Sequence, residues 1–276
     1  MILVTGAAGN VGGEVVRALL DGGQQVRGLT RDGIAAGLPA AAERAVGDLD
    51  RPDTLGPALD GASGMFLLPG YRDMPGVLAM AGRSGVERVV LLSGGSAGNG
   101  DLTNAVSRYM IRSEEAVRGS GLAWTILRPS AFMSNAFRWL PQLRADDAVR
   151  APFAGVRTAV TDPADIAAVA AVALISGGHD HATYRLTGPE SLLPAEQVDI
   201  LARVLGRPLR FEAQPNDEAR KEMTAAMPAD YVDAFFRFYV DGELDESMVL
   251  PTVPQITGRP ARTFEQWARA HAGAFA

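Results

Sequence analysis

Apolar positions along this chain recur with two different periods, and the first thirty residues show both. Residues 2–5, Ile-Leu-Val-Thr, form a short continuous apolar run that stops at Gly6. Such a run predicts a strand buried on both faces, because a half-exposed strand would alternate with polar residues. Over residues 10–20 the spacing changes, with Val11, Val15, Val16, Leu19 and Leu20 at helical intervals. Gly22 and Gly23 follow and predict the end of that helix. Residues 25–29 then predict a second strand, so the segment reads as a βαβ unit.

The alternation continues down the chain. Strands are predicted at 44–46, 64–68, 88–92 and 123–127, with helices at 52–59, 75–84 and 105–118. Elements of these lengths in this order predict an α/β protein with a Rossmann-type, doubly wound parallel sheet. Beyond Pro129 the pattern loosens through residue 160. Asp162 then predicts a helix cap, Pro163 a first helical position, and Asp165 a charge suited to the helix dipole. That helix runs to Ile175. A strand at 183–187, a helix at 194–205 ended by Gly206, and a short strand at 210–213 follow. Helical patterns cover 216–248 and carry Tyr231, Phe235, Phe236, Phe238 and Tyr239. Such an aromatic stripe is usually core, and a cleft cover is the second reading. The chain thus divides into a dinucleotide-binding core at 1–129 and, over 130–276, segments that complete the core and form a smaller C-terminal substrate lobe.

The chemistry begins at Gly6-Ala7-Ala8-Gly9-Asn10-Val11-Gly12, a Gly-x-x-Gly-x-x-Gly spacing between a strand and a helix. That context gives the glycines work to do. Gly6 turns the chain sharply, Gly9 admits a pyrophosphate close to backbone N–H groups, and Gly12 lets the helix pack on the sheet. The helix start adds unpaired N–H groups and a partial positive charge, with Asn10 and Val11 as backbone donors. At the end of the second strand stands Arg31, where an acidic residue would bind ribose hydroxyls. A guanidinium there favours a 2′-phosphate, so NADP(H) is the expected cofactor, while Asp32 beside it keeps NAD(H) open. Asp48 either accepts from an adenine amino group or caps the turn before Pro52. Leu49, Leu68, Pro69, Ser93 and Pro129 end strands or follow them, and should line the cofactor crevice.

Charge and composition narrow the partners. The net charge is −6, which gives no basic field for nucleic acid or an anionic membrane. There is no cysteine, which excludes disulfides and thiolate catalysis. His179 and His181 share a polar loop, and no metal is assigned. No apolar run reaches the roughly 20 residues that span a bilayer, and no leader is read before the first strand, so a cytoplasmic protein is expected.

The chain resembles the NmrA-like branch of the atypical short-chain dehydrogenases/reductases. The resemblance rests on the glycine turn, Gly47-Asp48, Trp124 through Pro129 with Phe132-Met133-Ser134-Asn135, Asp162 through Ala167, Leu186 through Glu190, and Thr257 through Pro260. It implies either an NAD(P)H-dependent reductase of quinones, ketones or activated double bonds, or a dinucleotide-sensing regulator with a protein partner. Relatives of the ordinary kind carry Tyr-x-x-x-Lys on one helix face. Here Tyr109 is followed four residues on by Ser113, and the single lysine is the distant Lys221. Tyr109 and Ser93 remain the candidate catalytic residues. Gly94 through Gly100 reads as a mobile loop that closes over substrate. Phe132, Met133, Phe137 and Trp139, with the aromatics after Tyr231, would make an apolar wall. The expected substrate is a small hydrophobic or aromatic molecule, a quinone or aromatic ketone.

Overall fold

A computed structural model of the protein describes residues 1–31 and 37–275; the expectation placed on Asp32 lies outside them. The first half of the chain supplies six strands of one sheet. These are β1 (Ile2–Val4), β2 (Val26–Thr30), the edge strand β3 (Glu43–Val46), β4 (Gly64–Leu67), β5 (Arg88–Leu92) and β6 (Ala123–Pro129). β1 and β4 are buried at every position, as runs without alternation require. Between them lie α1 (Asn10–Asp21), α2 (Gly56–Leu59), α3 (Met74–Arg83) and α4 (Ala105–Arg118). The predicted helix at 52–59 splits into a 3-10 turn, Pro52–Leu55, and the single turn of α2.

The second half contributes to the same sheet. After α5 (Leu140–Ala145) and β7 (Ala148–Ala151), α6 (Pro163–Ile175) packs beside α1, and β8 (Ala182–Leu186) pairs with β6 in parallel. The order is β3-β2-β1-β4-β5-β6-β8, every pairing parallel. Strand order reverses between β1 and β4, which opens a crevice at their carboxyl ends. α1 and α6 cover one face around Val15, Leu19 and Val169. α2, α3 and α4 cover the other around Leu55, Val77 and Val117.

The remaining elements form a lobe at the carboxyl ends of β6 and β8. They are α7 (Pro194–Leu205), β9 (Arg210–Ala213), α8 (Asn216–Ala226), α9 (Ala229–Tyr239) and α11 (Phe264–Ala270), while α10 (Thr252–Thr257) packs on α6 and β8 of the main body. β7 pairs with β9 as a separate two-stranded sheet. The helical pattern expected through residue 248 ends instead at Tyr239. Gly242 takes a left-handed conformation there (φ 75°), and an extended strap, residues 243–250, follows. The strap is held along its length. Asn99 donates to the Glu243 carbonyl, Ala159 N–H to the Glu246 carbonyl, and Leu250 N–H to the Thr187 hydroxyl.

Both aspartates at the start of α6 are structural. Asp162 accepts from Ala164 N–H at 2.8 Å and faces Arg262 Nε at 3.0 Å. Asp165, fully buried, pairs with Arg259 at 2.6 Å and accepts from Arg262 N–H. The two carboxylates therefore tie the segment carrying Arg259 and Arg262 to the start of α6. His179 bonds the Tyr184 hydroxyl, and His181 meets the Trp124 ring edge-on.

Candidate active site

The crevice begins where β1 ends. Gly6 has φ 61°, a conformation that side chains with a Cβ rarely adopt, and its carbonyl accepts from Gly9 N–H at 2.8 Å. A methyl group on Gly12 would stand 2.1 Å from that same carbonyl oxygen, so only glycine lets α1 start this close to the strand. Gly9 caps α1 without any side-chain hydrogen bond, and no acidic residue occupies the first turn. Ala8, Gly9 and Asn10 are exposed. The result is an uncovered helix N-terminus with backbone donors at Asn10 and Val11, a fit for a dinucleotide pyrophosphate. Thr5 holds the turn against β4 by accepting from Leu68 N–H at 3.0 Å. Leu68 closes over Gly6 from the other strand.

On one side of this turn lie the ends of β2 and β3. Arg31 is exposed there and, with Asp50, faces the Tyr71 hydroxyl. Burial raises the Tyr71 phenol, Asp50 adds to the effect, and Arg31 opposes it. Asp48 resolves toward turn capping, since its carboxylate accepts from Asp50 N–H and pairs with Arg51 at 3.3 Å. Leu49 is buried beneath it.

On the other side stand the ends of β4, β5 and β6, with α4 laid across them. Asn104 caps α4 by accepting from Val106 and Ser107 N–H groups at 3.0 and 3.2 Å. Replacing it by alanine should cost about 1 kcal/mol in a denaturant titration. α4 presents Tyr109 against Gly70, just past β4, and Met110 against Gly94, just past β5. Ser113 occupies the place where a lysine would stand in Tyr-x-x-x-Lys. It is buried, donates to the Tyr109 carbonyl, and accepts from Gly70 N–H at 3.0 Å. The position is therefore a clasp between α4 and the β4 end. Tyr109 stacks on Tyr231 of α9 at 6.3 Å, and burial pushes its phenol up to about 12. That is the opposite of activation by a lysine.

Ser93, at the tip of β5, is buried and donates to Glu114 at 2.6 Å. Its proton is thus committed to a carboxylate. Glu114 also takes two hydrogen bonds from Arg128, at 2.8 and 2.6 Å, and one from Arg118 at 2.9 Å. Burial alone would raise the Glu114 carboxyl. The bonds from Arg128, Ser93 and Arg118 outweigh it and hold the group below the usual carboxylate range. This ion pair locks α4 to the ends of β5 and β6. Sequence patterning does not single out this pair. The available signal was a lone arginine in an otherwise apolar strand, which demands a buried anion.

Two expected wall residues are placed elsewhere. Met133 is 1% exposed, because the 3-10 helix Met133–Trp139 turns it into the lobe's core beside Val160 and Leu143. Phe137 packs on Trp267, His271 and Phe275, and with the turn residues Ala7, Ala8, Gly9 and Asn10 it lines a cleft of about 220 Å³. Phe132 is partly buried against the main core. The expected loop after Ser93 is a 3-10 helix, Gly95–Asn99, with Ser96 and Ala97 buried. The aromatic stripe divides. Phe236 and Phe238 are core, whereas Tyr231 reaches Tyr109 and Tyr239 reaches the buried Glu246 at 3.0 Å.

An uncapped helix start behind β1, a strand order that reverses beside it, and a crevice flanked by β2 and β5 define a dinucleotide-binding protein of the Rossmann type. Residues 6–176 match the family described as NAD(P)H-binding, and the chain belongs to that family. The chain is an NAD(P)H-dependent reductase. It is 40% identical to a (4-alkanoyl-5-oxo-2,5-dihydrofuran-3-yl)methyl phosphate reductase of Streptomyces griseus, covering all of this chain and 99% of the relative. It is 36% identical to an NAD(P)H azoreductase of Xenophilus azovorans, over 100% and 99% of the two chains. Its fold is similar to an NADPH-dependent quinone oxidoreductase of Escherichia coli, with a TM-score of 0.80, 21% identity, and coverage of 99% and 100%. No described helix is long and apolar enough to cross a membrane.

Proposed function

We propose that the protein passes a hydride from NADPH to a flat, conjugated acceptor of the quinone or aromatic ketone kind. The observation that carries this reading is the pair Tyr109 and Tyr231, stacked at 6.3 Å beside Gly70, with Met110 under Gly94. In this reading these groups line an apolar slot for the acceptor at the ends of β4 and β5. In a Rossmann fold the dinucleotide spans the switch point, so its nicotinamide half falls on this side. The strap adds Met248 and Val249, which are about half exposed, as an apolar rim. Names of relatives point the same way, since they include an azoreductase and a quinone oxidoreductase.

The cofactor supplies the hydride. The chain's own residues bind, orient and exclude water. In this reading Asn10 and Val11 N–H groups hold the pyrophosphate over Gly6, Gly9 and Gly12. Leu68, Pro69, Ser93 and Pro129 line the path toward the slot, and Leu49 supports the adenosine end. Ser93 positions rather than donates, held by Glu114. Arg31 takes the 2′-phosphate and sets the preference for NADPH over NADH. Replacing Arg31 by alanine should weaken NADPH binding by about tenfold or more, the value of a charge-assisted hydrogen bond, and leave NADH unchanged. Calorimetric titration of both cofactors checks this, and an equal loss for both would remove Arg31 from the role.

The reading is tested by following NADPH oxidation with menadione, phenanthrenequinone, an aryl ketone and an azo dye. Saturable turnover of at least one is expected. NADPH that binds yet is oxidised by none of them contradicts the reading.

A further inference from the structure

The strap that follows α9 places one carboxyl group at the ends of β5 and β6. Glu246 is 8% exposed, yet it lies beside the crevice. A methyl group placed on Gly95 would stand 3.6 Å from both Glu246 Oε1 and the Pro129 carbonyl. Gly95 is three residues past Leu92, the last residue of β5, and Pro129 is the last residue of β6. Glu246 is therefore among the first groups met beyond these two strand ends. Its other oxygen, Oε2, accepts from the Tyr239 hydroxyl at 3.0 Å. The segment cannot swing away easily, since the Glu246 carbonyl is bonded by Ala159 N–H.

We infer that Glu246, oriented by Tyr239, is the proton donor of the reductase. The inference rests on the hydride-transfer reading above. Reduction of a quinone or ketone adds a hydride to the acceptor, which gains two electrons while the nicotinamide is oxidised. A proton must then reach the oxygen left negative. The O–H bond of the Glu246 carboxyl breaks, a new O–H bond forms on the substrate, and the carboxylate regains a proton from water. A buried carboxylic acid suits this role because it can be protonated near neutral pH.

The surroundings favour that state. Burial raises the Glu246 carboxyl, and Asp245 beside it in the strap adds to the rise. Tyr239 of α9, the Ala131 N–H past β6, and Arg185 of β8 act the other way, and the net direction is upward. Arg138 faces Tyr239, whose own phenol is raised by burial and by Glu246. Neither Ser93, committed to Glu114, nor Tyr109, lacking a lysine at the fourth position, offers an equivalent proton.

The test combines spectroscopy and kinetics on the full chain. Infrared difference spectra of the NADPH complex at neutral pH should show a protonated carboxylic acid band that is missing in Glu246→Gln. With menadione, wild-type kcat should fall as pH rises through the Glu246 titration. In Glu246→Gln, kcat should drop about hundredfold and lose that limb. Tyr239→Phe removes a bond that favours the carboxylate, so its limb should move to higher pH. A missing acid band, or a pH profile that neither variant alters, overturns the proposal. Wild-type protein that binds NADPH but reduces no acceptor would instead contradict the hydride-transfer reading and take this proposal with it.

Discussion

Replacing Gly12 by alanine should abolish measurable NADPH binding while leaving most of the fold in place. The added methyl would sit 2.1 Å from the Gly6 carbonyl oxygen and 3.0 Å from that of Thr5. Both are backbone atoms and cannot rotate aside. Relief requires the start of α1 to move by about an ångström, which costs roughly 1–3 kcal/mol of stability. The same movement carries the Asn10 and Val11 N–H groups off the pyrophosphate. Losing two charge-assisted hydrogen bonds of about 1.5–3 kcal/mol each weakens binding by on the order of hundredfold to ten-thousandfold. Calorimetry reads the binding and urea titration reads the stability. An alanine variant that binds NADPH normally would show that the cofactor lies elsewhere.

The second large effect is expected at Arg128. Its guanidinium holds Glu114, which is 1% exposed, and alanine would leave that carboxylate with only Arg118 and Ser93. Breaking a buried pair from one side costs about 3 kcal/mol, because a charge stays buried with too few partners. The pH dependence has a definite sign. Glu114 is held below the usual carboxylate value in the folded protein, so it binds its proton more weakly there than in the unfolded chain. It therefore contributes stability above the ordinary carboxylate pKa, which is lost as pH falls through the lowered folded value. Without Arg128 that folded value rises. The variant should be less stable at neutral pH, and its gap from wild type should narrow on acidification, because a Glu114 whose folded value lies nearer its unfolded one contributes less acid-dependent loss. Denaturant midpoints across an acid series measure both. Equal loss at every pH would mean that the arginine acts by packing alone.

The parts of this structure visible in the sequence are those with local causes. α4, α6 and α7 begin and end where their caps, prolines and glycines stand, and β5 matches its apolar run. The glycine turn was legible because a βαβ setting restricts what three glycines can be for. What stayed hidden depends on distant partners. β9 is visible as the short strand at 210–213, but β7 is not, since the strand it pairs with lies some sixty residues later. Met133 and Phe137 were read as wall because aromatic and thioether side chains suit either a cleft or a core. The 3-10 turn that aims them inward has no 3.6-residue period to detect. Glu246 sits in an extended strap among other acidic residues, and only the pairing with Tyr239 distinguishes it. In contrast, Arg128 carried a usable signal, since a charge inside an apolar strand needs a buried partner.

The most direct test of the account is a crystal structure with NADP⁺ bound. The pyrophosphate should rest on the Asn10 and Val11 N–H groups, the 2′-phosphate on Arg31, and the nicotinamide between Ser93, Pro129 and Glu246. A dinucleotide whose pyrophosphate leaves the Asn10 and Val11 N–H groups unoccupied, or whose nicotinamide is turned away from the ends of β5 and β6, would contradict it.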